Sequence, residues 1–175
     1  MRRIALAFAA FALPNAAFAQ APCLIASEAE SIASVAMPDI IREAGRICTS
    51  LPASSLVRRT SGPFLGKYQA EADRAWPAAR AAIAKLSDPS VSLLLQSDYA
   101  RPLLTSVFVP QILGRVQSSD CPTIDRLVTL LEPLPARNTA GIVVATLQYL
   151  KAEKAKGKSA VAEVPDLPVC AAGRR

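Results

Sequence analysis

The sequence predicts an all-α protein, an irregular helical bundle broken by prolines and followed by an extended C-terminal tail. Apolar residues recur at spacings of three and four along several segments, and no strand-like alternation of useful length occurs. The composition is rich in alanine and contains only 5% aromatic residues, which favours close-packed helices over sheets. The chain also contains 14 prolines, which are expected to interrupt the helices.

The first residues have the pattern of a cleavable secretory signal peptide. Arg2 and Arg3 are followed by an uncharged apolar run over residues 4–13, and Ala17-Phe18-Ala19 then fits the small-x-small cleavage pattern. The apolar run is about half the ~20 residues that a membrane-spanning helix needs. We therefore expect cleavage before Gln20 and an exported protein, periplasmic if the source is Gram-negative and otherwise secreted.

Three segments are expected along the chain. Residues 1–19 are the signal peptide, residues 20–157 form a single helical domain, and residues 158–175 form an extended tail. The mature part has no second apolar run of spanning length, which predicts the absence of a transmembrane span. The tail has little apolar periodicity of its own, so a crosslink at Cys170 would be its main attachment to the domain.

The four cysteines of the chain predict two disulfides. An even number in an exported protein is typical of structural crosslinks, and the absence of CxxC spacing argues against a redox dithiol or a zinc ribbon. Three pairings are possible. Sequential pairing is expected because cysteines closer in sequence meet more readily; the expected bonds are Cys23–Cys48 and Cys121–Cys170.

The first of these bonds places a demand on the first helix. Ser27 and Glu30 form a capping box, so a helix is expected to start there, and its apolar pattern continues to Ile47. A straight helix of that length would hold Cys23 and Cys48 about 30 Å apart, whereas a disulfide needs Cα atoms within about 7 Å. The sequential pairing thus requires the chain to fold back near Pro38.

The clearest helical periodicity covers residues 65–86, with apolar residues three and four apart. We expect Pro77 to kink or split this helix. Residues 91–116 are apolar and also expected to be helical, with breaks at Pro102 and Pro110.

A short amphipathic helix is expected after Cys121-Pro122. A final helix should begin with Asn138 or Thr139 as its cap and end at Gly157.

The chain contains no histidine, which restricts its chemistry. It lacks the usual general base near neutral pH and the commonest metal ligand, so Ser-His-Asp and Cys-His nucleophiles and histidine-based zinc sites are excluded. No catalytic, cofactor-binding or metal-binding residues are predicted.

Two groups of residues are candidate binding sites. Asp98, Tyr99 and Arg101 place polar groups inside an apolar stretch, and a buried Asp98–Arg101 pair would either fix the packing or line a site. Trp76, with Tyr68 two turns before it, would either anchor a ligand or partner or pack in the core.

Basic residues are concentrated near the predicted end of the last helix, at Lys151, Lys154, Lys156 and Lys158. They either complement the helix dipole or hold an anionic surface. Removing Arg2 and Arg3 with the signal peptide lowers the net charge from +6 to about +4. This modest charge, together with the absence of a recognition motif, does not indicate nucleic acid binding.

These observations favour a non-catalytic binding or interaction protein of the cell envelope, whose partner is another envelope protein or an anionic surface. A carrier that holds a small apolar ligand between its helices is the alternative. An enzyme without histidine-based chemistry is the third hypothesis.

Overall fold

The computed structural model describes residues 22–158 and 168–170. The predicted signal peptide and most of the predicted tail lie outside the described residues. Within these ranges the chain forms six α-helices, two one-turn 3-10 helices at Leu56–Arg58 and Ser118–Asp120, and a single isolated β-bridge. The all-α prediction is confirmed. The helices are α1 (Ala26–Ile47), α2 (Gly62–Leu86), α3 (Val91–Leu94), α4 (Ala100–Leu113), α5 (Cys121–Leu131) and α6 (Ala136–Ala155).

Helix α1 lies at the centre of the fold. It packs against α2, α4, α6 and the first 3-10 helix, and it contributes residues to all three apolar clusters of the core. Many of its buried side chains are small, including Ala29, Ser34, Ala36, Ala44 and Gly45, so neighbouring helices can approach its backbone on several sides. Loss of α1 would therefore remove the common partner of the other elements.

The first helix starts close to the predicted position, but the predicted cap is wrong. Glu28, rather than Glu30, reaches back, and its Oε2 accepts the Ile25 backbone N–H at 2.9 Å. Burial alone would raise the pKa of Glu28, yet the hydrogen bonds from Lys85 and from the Ile25 N–H hold it below its usual range. Lys85 Nζ lies 3.0 Å from the same oxygen, so this carboxylate also joins α1 to α2.

The predicted reversal at Pro38 is wrong, and so is the predicted sequential pairing of the cysteines. Helix α1 passes through Pro38 without a break. Cys23 is bonded to Cys170 and Cys48 to Cys121, with Cα–Cα distances of 5.1 and 5.4 Å. Pro38 and the turn before it, residues 34–37, are buried, as is Ile41 in the turn after it, and this packing offsets the hydrogen bond that proline removes from the helix.

Prolines also lie inside other helices without ending them. Pro77 does not split α2, and Pro110 lies within α4. The break between α3 and α4 comes instead at residues 95–99, before Pro102. Pro102 lies in the first turn of α4, where a backbone N–H would have no partner within the helix, so proline is tolerated there.

Helix α5 forms where the amphipathic pattern predicts it, and Lys67 supports its end. The Lys67 ammonium group donates to the backbone carbonyls of Glu132 and Leu134, which satisfies carbonyls that follow the last turn of α5. The first helical residue of α6 is Ala136, directly after Pro135, so the predicted caps Asn138 and Thr139 are wrong. Gly157 has a positive φ of 79° and ends the helix as predicted.

Residues 23–24 lie beside residues 168–170, which are the last residues that the structure describes. Leu24 and Val169 form a parallel bridge in which the Leu24 N–H donates to the Pro168 carbonyl at 2.7 Å. The Cys170 N–H donates back to the Leu24 carbonyl at 2.8 Å. From α6, Lys151 Nζ donates to the Val169 carbonyl at 3.1 Å. Cys170 is therefore bonded to Cys23, close to the start of α1, and not to Cys121 as predicted.

The Cys48–Cys121 bond lies inside the core, beside the first 3-10 helix. Both cysteines are 0% exposed and pack with Val57. The Val57 N–H has no partner within its own short helix, and it donates to the Asp125 carboxylate of α5 at 3.1 Å. This hydrogen bond, between residues 68 positions apart in sequence, holds α5 against the same cluster.

The two disulfides should differ in their reactivity toward thiols. Cys23 is partly exposed, whereas both sulfurs of the inner bond are buried, and access controls thiol–disulfide exchange. Under native conditions, increasing concentrations of dithiothreitol should release Cys23 and Cys170 well before Cys48 and Cys121, as measured by alkylation and peptide mapping. The same titration in denaturant serves as the control, and there the difference should disappear. Release of all four cysteines at the same dithiothreitol concentration in the native protein would contradict the prediction.

Candidate functional site

The polar residues predicted to cluster at positions 98–101 lie at the start of α4, but their side chains do not form one site. Asp98 and Tyr99 are exposed, with Tyr99 75% exposed. Arg101 does not form a buried pair with Asp98. It forms an ion pair with Asp73 of α2 instead, with 2.5 Å between Nη1 and Oδ1. Because Asp73 is largely exposed, this pair contributes little stability and mainly orients the first turn of α4.

The two aromatic residues of α2 that the sequence singled out, Tyr68 and Trp76, have different environments. Tyr68 is buried and packs edge-to-face on Phe64, with ring centroids 5.5 Å apart, and burial raises the pKa of its phenol. Trp76 is half-buried. Core packing is therefore confirmed for Tyr68, whereas Trp76 remains a candidate for contact with a ligand or partner.

An apolar surface that sequence reasoning missed runs along the outer side of α4. Tyr99, Leu103 and Val107 are spaced four residues apart, so their side chains lie on one face, one turn above another. They are 75%, 47% and 57% exposed. We call these three residues the α4 stripe. Leu93 and Leu94 of the preceding helix α3 are also exposed and add to the apolar surface of this part of the chain.

The α4 stripe exists because α4 is apolar around most of its circumference, while α1 covers only one side of it. The inner side consists of Ala100, Thr105, Val109 and Leu113, all of them buried, and α4 packs chiefly against α1. A helix that is apolar all round is normally buried all round. The outer face of α4 therefore has the apolar composition of a buried surface, yet no part of the described chain covers it.

The space between α1, α2 and α4 is small. It is lined by apolar side chains, among them Ile32, Ala79 and Phe108, and it has a volume of about 10 Å³. That volume is about what a single water molecule requires. A ligand of the size a carrier would bind could enter only if α4 moved away from α1 and α2.

Beside this space, an open groove of about 740 Å³ is lined by α1, α2 and α4. Its charged side chains are paired with one another. Arg42 lies 2.5 Å from Asp39, Arg46 lies 3.1 Å from Glu43, and Arg101 is paired with Asp73. Since each cation is matched by an anion, the groove does not select for a ligand of either charge.

The lysines at the end of α6 make contacts within the molecule. Lys156 Nζ lies 2.8 Å from Glu153 Oε1, and Lys158 contacts the other oxygen of the same carboxylate. Lys151 donates to the tail carbonyl of Val169. Lys154 also has a partner within the molecule. These basic groups therefore help to hold the C-terminal end of the fold together.

The carboxylates whose pKa is shifted are poorly suited to acid–base catalysis. The hydrogen bonds from Lys156 and then Lys158 hold the pKa of Glu153 below its usual range, and the Ser90 N–H does the same for Asp88. The pKa of Glu28 is also lowered. A general acid or base working near neutral pH needs the opposite shift. Within the described residues, no three acidic or cysteine side chains converge in a way that could hold a metal ion.

None of the helices in the described ranges is both long enough and apolar enough to cross a membrane. The described residues thus define an all-α protein crosslinked by two disulfides, with an exposed apolar face along α4. No protein-family model matches the chain, and no curated protein and no solved structure matches it.

Proposed function

We propose that this chain is a non-catalytic, exported binding protein of the cell envelope, and that it binds a partner protein through the α4 stripe. The supporting observation is the exposure of Tyr99, Leu103 and Val107 on successive turns of a helix. Removing apolar surface from water is favourable by about 25 cal/mol per Å², and this gain offsets part of the entropy that association costs. Exposed apolar patches on soluble proteins commonly mark sites of interaction.

Charge favours a protein partner with an apolar surface over an anionic membrane. Residues 91–114 contain one acidic and one basic residue, Asp98 and Arg101, and Arg101 is paired with Asp73. Attraction to anionic lipid relies on several basic side chains near the membrane, each contributing about 1 kcal/mol. The α4 stripe lacks such a group, while Lys151, Lys156 and Lys158 at the far end of the chain are engaged within the molecule.

Site-specific photocrosslinking tests this proposal. A photoreactive amino acid at Val107 should give an adduct of defined mass in the native envelope, because it faces outward from the stripe. The control places the same group at Arg80, which is exposed on α2. Adding Leu103→Asp should reduce the Val107 adduct on the order of tenfold or more, since central apolar contacts dominate interface energies.

A matched variant separates loss of binding from loss of folding. Ala81→Asp introduces the same charge at an exposed position of α2 and should leave the adduct unchanged, with both variants retaining full helix content by circular dichroism. Identical adducts from Val107 and Arg80 would contradict the proposal. So would binding to anionic vesicles that persists in Leu103→Asp and weakens with salt, because that outcome identifies a lipid surface as the partner.

A further inference from the structure

The connectivity of the two disulfides is nested. The first cysteine of the chain pairs with the last, across 147 residues, and the second pairs with the third, across 73 residues. The Cys48–Cys121 bond therefore lies entirely within the loop that Cys23–Cys170 closes. Pairing the cysteines in the order in which they occur along the chain, Cys23 with Cys48 and Cys121 with Cys170, therefore does not produce the native bonds.

The unfolded chain favours a different pairing. The probability of closing a flexible loop falls roughly as the 3/2 power of its length, so Cys23 meets Cys48 roughly tenfold more often than it meets Cys170. During export Cys23 and Cys48 also arrive first, before their native partners. Oxidation of the unfolded chain should thus accumulate the Cys23–Cys48 bond, which leaves Cys121 to pair with Cys170.

The Cys23–Cys48 bond is incompatible with the native fold. Helix α1 spans 22 residues between these two cysteines without interruption, which corresponds to a length of about 33 Å. A disulfide requires its Cα atoms to lie within about 7 Å. A chain that carries this bond cannot form α1, and α1 supplies residues to every apolar cluster of the core.

We propose that the chain is a client of a thiol–disulfide isomerase, an enzyme with a reactive dithiol that rearranges sequentially paired disulfides into the nested pair. The inference rests on the export that forms part of the proposed function, but not on the α4 stripe. The substrate is the Cys23–Cys48 bond of the misfolded chain.

The rearrangement balances without an external oxidant. The enzyme thiolate attacks Cys48 Sγ, forms a mixed disulfide and releases the Cys23 thiolate. This thiolate attacks Cys170 of the Cys121–Cys170 bond, which forms Cys23–Cys170 and releases the Cys121 thiolate. The Cys121 thiolate then attacks Cys48 Sγ of the mixed disulfide, which forms Cys48–Cys121 and returns the enzyme thiolate. Each bond formed replaces one broken.

Burial explains why the exchange stops at the native pairing. In a chain without α1 the sulfur of Cys48 is accessible to the enzyme, whereas in the folded protein Cys48 and Cys121 are both 0% exposed. Because thiol–disulfide exchange needs access to the sulfur, the inner bond is removed from reaction once the core has formed.

Refolding in vitro tests the inference independently of export and of partner binding. The reduced mature chain is oxidised in denaturant, the species carrying Cys23–Cys48 and Cys121–Cys170 is identified by peptide mapping, and the denaturant is removed. With catalytic reduced protein disulfide isomerase, the nested bonds and the helical circular dichroism signal should be recovered. With the enzyme whose active-site cysteines are replaced, the sequential bonds should persist. Equal recovery with both enzymes would overturn the proposal.

A variant with a single possible bond provides the control. The double substitution Cys23→Ser with Cys170→Ser leaves only Cys48 and Cys121, which have no wrong partner within the chain. Oxidised in denaturant in the same way, it already carries its native bond and should recover its helices at the same rate with the active and the inactive enzyme. An equal dependence on the isomerase in this variant would also overturn the inference, because the enzyme would then act on something other than mispairing.

Discussion

Replacing Cys48 and Cys121 together with alanine should lower the free energy of unfolding by about 6 kcal/mol. The bond closes a loop of 73 residues, for which constraint of the unfolded chain alone contributes about 4 kcal/mol. Both cysteines are also 0% exposed among Val57, Val109 and Leu113. Removal of each buried sulfur leaves unfilled space and adds about 1 kcal/mol. The midpoint of urea denaturation, followed by circular dichroism, measures the change.

The matched control replaces Cys23 and Cys170 with alanine. Its loop of 147 residues is longer, but the chain-entropy term grows by only about 0.6 kcal/mol between the two loops. Cys23 is partly exposed, so less packing is lost there. Because Cys170 is buried at 7% exposure, the smaller packing loss at Cys23 roughly offsets the longer loop, and removing either pair should cost the same to within about 1 kcal/mol. A loss for the outer pair less than half that for the inner pair would contradict this loop-closure explanation. Replacing Cys170 alone should leave Cys23, rather than Cys121, as the free thiol.

Gly45→Ala should destabilise the protein by up to about 2 kcal/mol, even though alanine is the better helix former. A Cβ atom at this position would lie 2.6 Å from Thr60 Cγ2 and 2.9 Å from the backbone oxygen of Val57. The threonine side chain can shift, but the backbone carbonyl belongs to the 3-10 helix packed on α1. Overpacking of this kind costs about 1–3 kcal/mol and exceeds the gain in helix propensity of about 1 kcal/mol.

Gly141→Ala, in the middle of α6, should have the opposite sign. Its Cβ atom would meet only the Glu30 side chain, at 3.7 Å, which is an ordinary contact. The gain in helix propensity, about 1 kcal/mol, should then appear as increased stability. Urea denaturation of the two variants side by side measures both effects. Destabilisation of equal size in both would contradict the steric explanation for Gly45.

The candidate site could be predicted only in part. The sequence singled out Tyr99 and Arg101 because polar groups stand out within an apolar stretch, and both lie at the start of α4. It did not identify Leu103 and Val107, since an apolar residue in an apolar helix is normally expected to be buried. It also paired Arg101 with its neighbour Asp98, whereas the partner is Asp73 of α2, which packing brings near from a distant part of the sequence.

The positions of most helices follow from local signals that need no tertiary information. The periodicity of residues 65–86 matches α2, the apolar pattern after Cys121-Pro122 matches α5, and Gly157 ends α6. Local signals were least reliable at prolines and caps. At Pro38 the local preference against helix, about 3 kcal/mol, competes with burial of several α1 side chains at about 1.5–3 kcal/mol each, and burial prevails.

The sequence by itself determined the helical class of this protein and the involvement of all four cysteines in crosslinks. Only the tertiary structure decided which cysteines pair. Loop length favours Cys23–Cys48 in the unfolded chain, but a continuous α1 holds these cysteines at opposite ends of the central helix. The tail then reaches Cys23, where Leu24 and Val169 enter the same apolar cluster. The pairing depends on where the buried helix α1 places its two ends, and no local sequence pattern contains that information.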